Sequence, residues 1–307
     1  MKSILTALAA ALLLSLHIST LAGGPFDDAV AAYDKGDYKS ALQLWRPLAE
    51  QGDPVAQIRI GGLYADGDGV PRDYLEASKW FRRAAELGSA RAQFNLGSLY
   101  YSGQGVAQNF TEAIKWYRLA AENGSADAQF KLGAIYVEDR RSGSVAEALD
   151  WYRLAAAQGH PGAQFALALH YAKGHGVHQD DGEAVRWATL AAHQGHMIAQ
   201  YNLGIMYAAG RGVERRDDVQ AAKWYGLSAQ QGYTLAQSSL ALQYKLGLGM
   251  ARDPIQALMW LTIAARQGDA RAATERDNLT LSMTPVEIAE AQKLAREWRK
   301  PAGRKSP

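Results

Sequence analysis

Apolar positions along residues 53–268 fall in two alternating stripes, both at helical spacing. In SARAQFNLGSLYYSG (89–103), Ala92, Leu96, Leu99 and Tyr100 fall at i, i+4, i+7 and i+8. In FTEAIKWYRLAAENG (110–124), Ala113, Trp116, Ala120 and Ala121 fall at i, i+3, i+7 and i+8. Each stripe is one face of an amphipathic helix. Two such helices with a glycine-bearing turn between them predict a helix hairpin.

The hairpin recurs. Ala-Gln occurs at 56–57, 92–93, 128–129, 163–164, 199–200 and 236–237, with spacings of 36, 36, 35, 36 and 37. A tyrosine follows each pair (Tyr64, Tyr100, Tyr136, Tyr171, Tyr207, Tyr244), then a tryptophan (Trp80, Trp116, Trp151, Trp187, Trp224, Trp260), then a closing glycine. Six units result: 53–88, 89–124, 125–159, 160–195, 196–232 and 233–268. A fixed period of this length predicts stacked supersecondary units that bury a shared core.

LYADGDGVPRDYLEASKW (63–80) looks locally like a metal or phosphate loop. The period says otherwise. Its Gly-x-Gly returns as Gly103/Gly105, Gly174/Gly176, Gly210/Gly212 and Gly247/Gly249, between the helices of a hairpin, where the chain reverses and positive φ is needed. Its acids are expected caps: Asp73–Glu76, Asn109–Glu112, Ser144–Glu147, Asp180–Glu183, Asp217–Gln220 and Asp253–Gln256 all have capping-box spacing. A calcium loop starting at Asp66 would need an acid, a glycine and a glutamate where Val70, Pro71 and Ala77 stand. The Gly-Lys-Ser/Thr of a phosphate loop is absent.

AQFNLGSLYYSGQGVAQNFTEAIKWYRLAAENG (92–124) resembles the Sel-one-like repeat, a relative of the tetratricopeptide repeat, and the resemblance covers 53–268 in six registers. It implies an all-α fold: an α-α superhelix, or solenoid, of six helix-hairpin repeats with N- and C-terminal capping helices. Residues 23–52 are expected to be an N-terminal half-repeat cap. Residues 269–300 are expected to hold a C-terminal capping helix, with Thr284, Pro285 and Glu287 marking its start, and 301–307 a disordered tail. Unit three departs in its turn, VEDRRSGS (137–144). Units four and six carry Ala168 and Ala241 where the others have Gly61, Gly97, Gly133 and Gly204, which predicts looser packing there.

The first residues stand apart. Lys2 precedes an apolar run of 13 residues, Ile4–Leu16, and a small-residue junction ends at Ala22. Residues 1–22 read as a signal peptide cleaved after Ala22, its 13-residue apolar run too short to span a bilayer, with an uncleaved anchor as the alternative. There is no cysteine, so disulfides, thiolate chemistry and lipidation at the junction are excluded. Export without cysteine suits the periplasm, with secretion as the second choice, and no membrane span is expected after cleavage. A net charge of +2 does not suit a nucleic-acid partner.

Candidate chemistry is thin. His160, His170, His175, His178, His193 and His196 cluster in unit four and its border, but the hairpin places them at opposite ends of its helices. At most two small clusters result, His175 and His178 in the turn and His160, His193 and His196 at the other end. A turn site of His175, His178 and Asp180 or Asp181 is conceivable for a metal, but Asp180 is already expected as a cap. No Gly-x-Ser-x-Gly, Ser-x-x-Lys or His-Glu-x-x-His occurs. Some secreted relatives in the family are associated with β-lactam binding, but those are cysteine-rich. The tryptophan and tyrosine ladders are expected to be core.

Within a repeat, positions 4, 8, 11 and 12 face the core, and positions 3, 6, 10, 13 and 14 share the opposite face of the first helix. The resemblance implies that this face lines a concave groove. It carries Arg91, Phe94, Tyr101, Asp127, Phe130, Glu138, Phe165, Lys173, Tyr201 and Lys245. Aromatic anchors among charges of both signs suit protein recognition, although position 6 can also pack laterally. The carboxylate clamp of some tetratricopeptide domains uses asparagines in adjacent units. Asn95 and Asn202 lie in units two and five, so such a clamp is not expected. The expected function is a non-enzymatic, cofactor-free scaffold, adaptor or regulator that binds another envelope protein. The rivals are a cell-wall or β-lactam-acting enzyme and a metal-binding module around unit four.

Overall fold

Helix capping decides where each element begins. The side chains of Asp73, Asn109, Ser144, Asp180, Asp217 and Asp253 each accept a hydrogen bond from the backbone N–H three residues on, at 2.9–3.1 Å. The reciprocal arm of the capping box forms at Ser144, where Glu147 reaches back to the Ser144 N–H. Glu76 and Glu183 instead pair with Lys79 and Arg186 one turn ahead, both at 2.8 Å or less. The i,i+3 cation competes for the same carboxylate.

The computed structural model describes residues 24–138 and 144–299. The expected signal peptide and tail, and most of the unit-three turn, lie outside the described residues. Among these residues there are sixteen α-helices and no strand. α1 (Pro25–Asp34) and α2 (Tyr38–Glu50) open the chain. Six hairpins follow: α3 (Pro54–Asp66) with α4 (Tyr74–Glu86), α5 (Ala90–Ser102) with α6 (Phe110–Glu122), α7 (Ala126–Glu138) with α8 (Val145–Ala157), α9 (Pro161–Lys173) with α10 (Asp181–His193), α11 (Met197–Ala209) with α12 (Asp218–Gln230), and α13 (Thr234–Leu246) with α14 (Pro254–Arg266). α15 (Ala270–Thr280) and α16 (Pro285–Glu297) close it.

Both caps are helical. The stretch before residue 53, expected as a half-repeat cap, holds two helices, because Asp37 caps α2 through the Ser40 N–H and separates it from α1. The expected single capping helix after residue 268 is also two helices. Asp269 caps α15 through the N–H groups of Arg271 and Ala272, and Thr284 with Glu287 forms a complete capping box for α16.

The helices divide into two compact units, ending at Asn123 and starting at Gly124. In each, a helix packs on the next one along the chain, the superhelical arrangement of a hairpin solenoid. In the first unit, one cluster joins Trp45, Ile60, Leu63 and Trp80, and a second joins Phe81, Leu96, Leu99 and Trp116. In the second, clusters form around Leu149, Tyr152 and Leu167, around Ala168, Leu203 and Trp224, and around Tyr225, Leu240 and Trp260. Trp80, Trp116, Trp224 and Trp260 are buried as expected, while Trp151 and Trp187 are half-buried.

The glycine-to-alanine exchange has a steric partner. A Cβ on Gly97 would sit 2.9 Å from Tyr117, and Gly61, Gly133 and Gly204 face Phe81, Tyr152 and Tyr225 in the same way. In the two units that carry alanine, the residue after the tryptophan is Ala188 or Leu261 instead of an aromatic. All four residues, Ala168, Ala188, Ala241 and Leu261, are buried. The expected loosening is therefore compensated: a methyl takes space that the ring no longer needs.

Within each compact unit, the glutamine of the Ala-Gln pair ties one repeat to the next. Its Nε2 donates to a carbonyl eight residues back, as in Gln93 to Ala85 (3.1 Å) and Gln200 to Ala192 (3.0 Å). In five of the six repeats its Oε1 accepts from the amide that ends the same repeat's second helix: Asn123 to Gln93 (3.0 Å), Gln158 to Gln129 (2.8 Å), Gln194 to Gln164 (2.8 Å), Gln231 to Gln200 (2.8 Å) and Gln267 to Gln237 (3.1 Å).

Candidate functional site

The first-helix face has two chemical characters, set by what stands at positions 3, 10 and 14 of each repeat. Position 10 reads Gly62, Ser98, Ala134, Leu169, Ile205, Leu242, from small to large along the chain. Position 3 reads Val55, Arg91, Asp127, Gly162, Ile198, Leu235.

In the first unit, the small residues leave a pocket of about 300 Å³ between α1, α3 and α5. Tyr33, Arg59, Asp66, Arg91, Asn95 and Ser98 bring polar groups to it, over a floor that includes Leu63, Phe81 and Leu99. Burial raises the Tyr33 phenol above its ordinary range, with the charges of Asp66 and Asp68 adding to the shift and that of Arg59 opposing it.

On α11 and α13, in the second unit, the face is apolar and open. On α13, Leu235, Leu242 and Leu246 are 50, 46 and 55% exposed. Their spacing, i, i+7 and i+11, places all three on one helix face. Ile205 on α11 is exposed at the same repeat position as Leu242.

The expected aromatic anchors are not free. Phe94, Phe130, Phe165 and Tyr201 are half-buried and engaged in lateral ring contacts. Phe94, Phe130 and Tyr201 pack on Tyr117, Tyr152 and Tyr225 at centroid distances of 5.6–5.8 Å. Phe130, Phe165 and Tyr201 also meet the residue that opens the next first helix: His160 at 4.6 Å, His196 at 4.9 Å and Tyr233 at 5.1 Å. Tyr101 lies edge-on to Phe110 at 5.3 Å. Arg91, Asp127, Glu138 and Lys173 are exposed. Asp127 lies 3.3 Å from His160 Nε2, and Lys245 pairs with Glu275 at 2.7 Å. The structure thus brings Arg91 to a pocket and leaves the other nine dispersed along the face. Sequence reading passed over Arg59, Gly62, Leu235, Leu242 and Leu246. The size gradient at position 10 could have found Gly62 and Leu242, and the leucines at positions 3 and 14 of the last repeat, on the same face, could have found Leu235 and Leu246.

The unit-four histidines have structural partners. His160 and His196 are helix caps: each Nδ1 accepts the N–H three residues on, from Ala163 and Ala199, both at 3.1 Å. That bond requires an unprotonated Nδ1. Burial lowers both pKa values, and the nearby Asp127 carboxylate partly offsets the shift at His160. His170 is buried, its Nδ1–H donating to the His175 carbonyl at 2.6 Å and its ring stacked on that of His175. Burial lowers its pKa too. Among the described residues, no three His, Asp or Glu side chains are grouped to hold one metal ion. No described helix is long and apolar enough to cross a membrane.

Stacked helix hairpins with an open lateral face define a helical-repeat interaction scaffold, a fold that carries no catalytic machinery of its own. The chain belongs to the Sel1 repeat family, which matches residues 32–53, 54–89, 90–125, 126–160, 161–196, 198–233 and 234–269. A Sel1 repeat protein from Oxalobacter formigenes is 37% identical over 79% of this chain and 97% of its own, with a TM-score of 0.69. The protein c5321, a protective antigen of uropathogenic Escherichia coli with the same repeat fold, is 30% identical over 90% of this chain and 68% of its own, with a TM-score of 0.54. Comparison with curated proteins gives no match.

Proposed function

We propose that this chain is an exported, non-enzymatic scaffold of the bacterial envelope that docks another protein on its first-helix face. The exposed leucine row of α13 carries this reading. Leu235, Leu242 and Leu246 stand in water on a helix whose opposite side, Ala236, Leu240 and Ala241, is already buried in the core. An exposed apolar row at regular spacing on an interaction scaffold is what a partner would cover. The signal-peptide pattern of residues 1–22 supports the envelope location.

The test is a crosslinking pull-down from envelope extract of the source organism, with the full chain and a Leu235→Ser, Leu242→Ser, Leu246→Ser variant as baits. A client captured by the first and lost by the second is the expected result. Equal capture by both would remove this face from the function, and a chain that fractionates with cytoplasm would remove the location.

A further inference from the structure

Gly62 is a glycine that the protein's own packing does not require. It lies inside α3, where glycine costs helix stability relative to alanine. Its neighbour Gly61 has a steric reason, since a Cβ there would come within 2.6 Å of the Phe81 ring. A Cβ on Gly62 would meet nothing within 4 Å. The space beside Gly62 is instead the pocket of the first unit. At the same repeat position, units four, five and six carry Leu169, Ile205 and Leu242.

The charges around that space are unbalanced at one end. Arg59 is half-buried, its guanidinium 5.9 Å from the ring centroids of both Tyr33 and Trp45. Those rings hold it in place and shield it from water without neutralising it. Arg91 projects from the next first helix, beside Asn95. Among the described residues, no carboxylate lies within ion-pair distance of either guanidinium, whereas other arginines are paired, as Arg186 with Glu183 and Arg211 with Asp181. The pocket's one acid, Asp66, and Arg59 both act on the Tyr33 phenol but form no ion pair with each other.

We infer that this pocket is a carboxylate-recognition site, which receives an acidic residue of the docked partner between Arg59 and Arg91, with Asn95 as an additional donor. Two planar guanidinium groups and an amide match the two oxygens of a carboxylate. The apolar floor accepts the methylenes that carry it. The inference rests on the first-helix face being the docking face, and it adds a charge requirement to the apolar one.

A positional-scanning peptide array tests it. Random decapeptides carry one fixed residue per spot and are anchored by the C-terminus, so that no terminal carboxylate is present. A second set is anchored by the N-terminus. Both are probed with the full chain, with Arg59→Gln and Arg91→Gln variants, and with Gly62→Leu. The last places in the pocket the residue that Leu169 and Leu242 supply in later repeats, and it improves helix propensity, so the protein is expected to stay folded. Spots with fixed Asp or Glu are expected to bind at least fivefold more than spots with Asn or Gln. That preference is expected to vanish in Gly62→Leu and to fall in both arginine variants. A preference confined to the N-terminally anchored set would identify a chain terminus as the source of the carboxylate. Equal binding to acid and amide spots, no binding to any spot, or an undiminished preference in Gly62→Leu would overturn the inference. None of these would touch the leucine-dependent capture, which fails or stands on its own pull-down.

Discussion

Gln57 Oε1 is buried without a hydrogen-bond donor, and Leu87 stands where its donor would be. In the other five repeats, the residue that ends the second helix is Asn123, Gln158, Gln194, Gln231 or Gln267, and each donates to the glutamine of its own repeat. The first repeat keeps the acceptor and lacks the donor. A buried acceptor left unpaired loses its hydration without recompense. Leu87 is 61% exposed, so its replacement forfeits little burial. Leu87→Gln is therefore expected to stabilise the first unit by about 1 kcal/mol. Urea denaturation followed by circular dichroism would show this as a higher midpoint, and an unchanged midpoint would mean that water satisfies Gln57 at no cost.

The glycine–aromatic pairing predicts a coupling. Gly97→Ala pushes a methyl to 2.9 Å from Tyr117 and is expected to cost about 1–3 kcal/mol as overpacking. Tyr117→Ala removes a buried ring and is expected to cost about 3–5 kcal/mol. The double variant should be more stable than the sum of the two losses implies, because the methyl then has room, as with Ala168 and Ala188. A double-mutant cycle by thermal denaturation measures this, and strict additivity would rule the steric explanation out.

His160 and His196 make stability depend on pH. Their folded pKa values are lowered below the ordinary 6.5, chiefly by burial. The neutral ring is the form that caps the helix, so the unfolded chain binds protons first as pH falls. Stability is full above about pH 7.5, declines as pH drops through 6.5, and stops declining below the folded pKa values. His170 contributes in the same direction. Replacing both caps by asparagine keeps an acceptor at each helix start and removes the titration. The double variant is expected to lose less stability than the wild type between pH 7.5 and 5, in denaturation midpoints measured across that range. An equal loss in both would assign the pH dependence to other groups.

Phe130 is expected to act on stability before it acts on binding. Its ring lies 5.8 Å from Tyr152 and 4.6 Å from His160, centroid to centroid. Phe130→Ala should cost about 2–4 kcal/mol, part of it from the lost ring contacts. By contrast, Leu242→Ser should change stability by less than about 0.5 kcal/mol, since the leucine is largely in water. Thermal melts of the two variants side by side check the contrast, and a large loss at Leu242 would show that it belongs to the core.

The repeat, its period and its caps were legible in the residues because helix hairpins are local objects. The 36-residue spacing, the Gly-x-Gly turns and the Asp, Asn or Ser caps each act within a few residues, so the string of letters contains them. The end elements were harder. Asp37 lies 36 residues before Asp73, and Asp269 lies 36 residues after Tyr233, so both keep the repeat register, but the Ala-Gln pair that marked the six full units is missing beside them.

What the sequence determined by itself is the architecture: an all-α array with helix boundaries set by capping and reversal by glycine. What the tertiary structure alone decided is which part of the first-helix face is available. Helical period placed Phe94, Phe130, Phe165 and Tyr201 on that face, and only packing showed their rings held against Tyr117, Tyr152, His196 and Tyr225. Packing also showed that Gly62 opens a pocket while Gly61 fits against a ring. The difference is physical. A helix is fixed by neighbours three and four residues apart, whereas a pocket or an exposed row is fixed by what side chains some twenty to thirty residues away fill or leave empty.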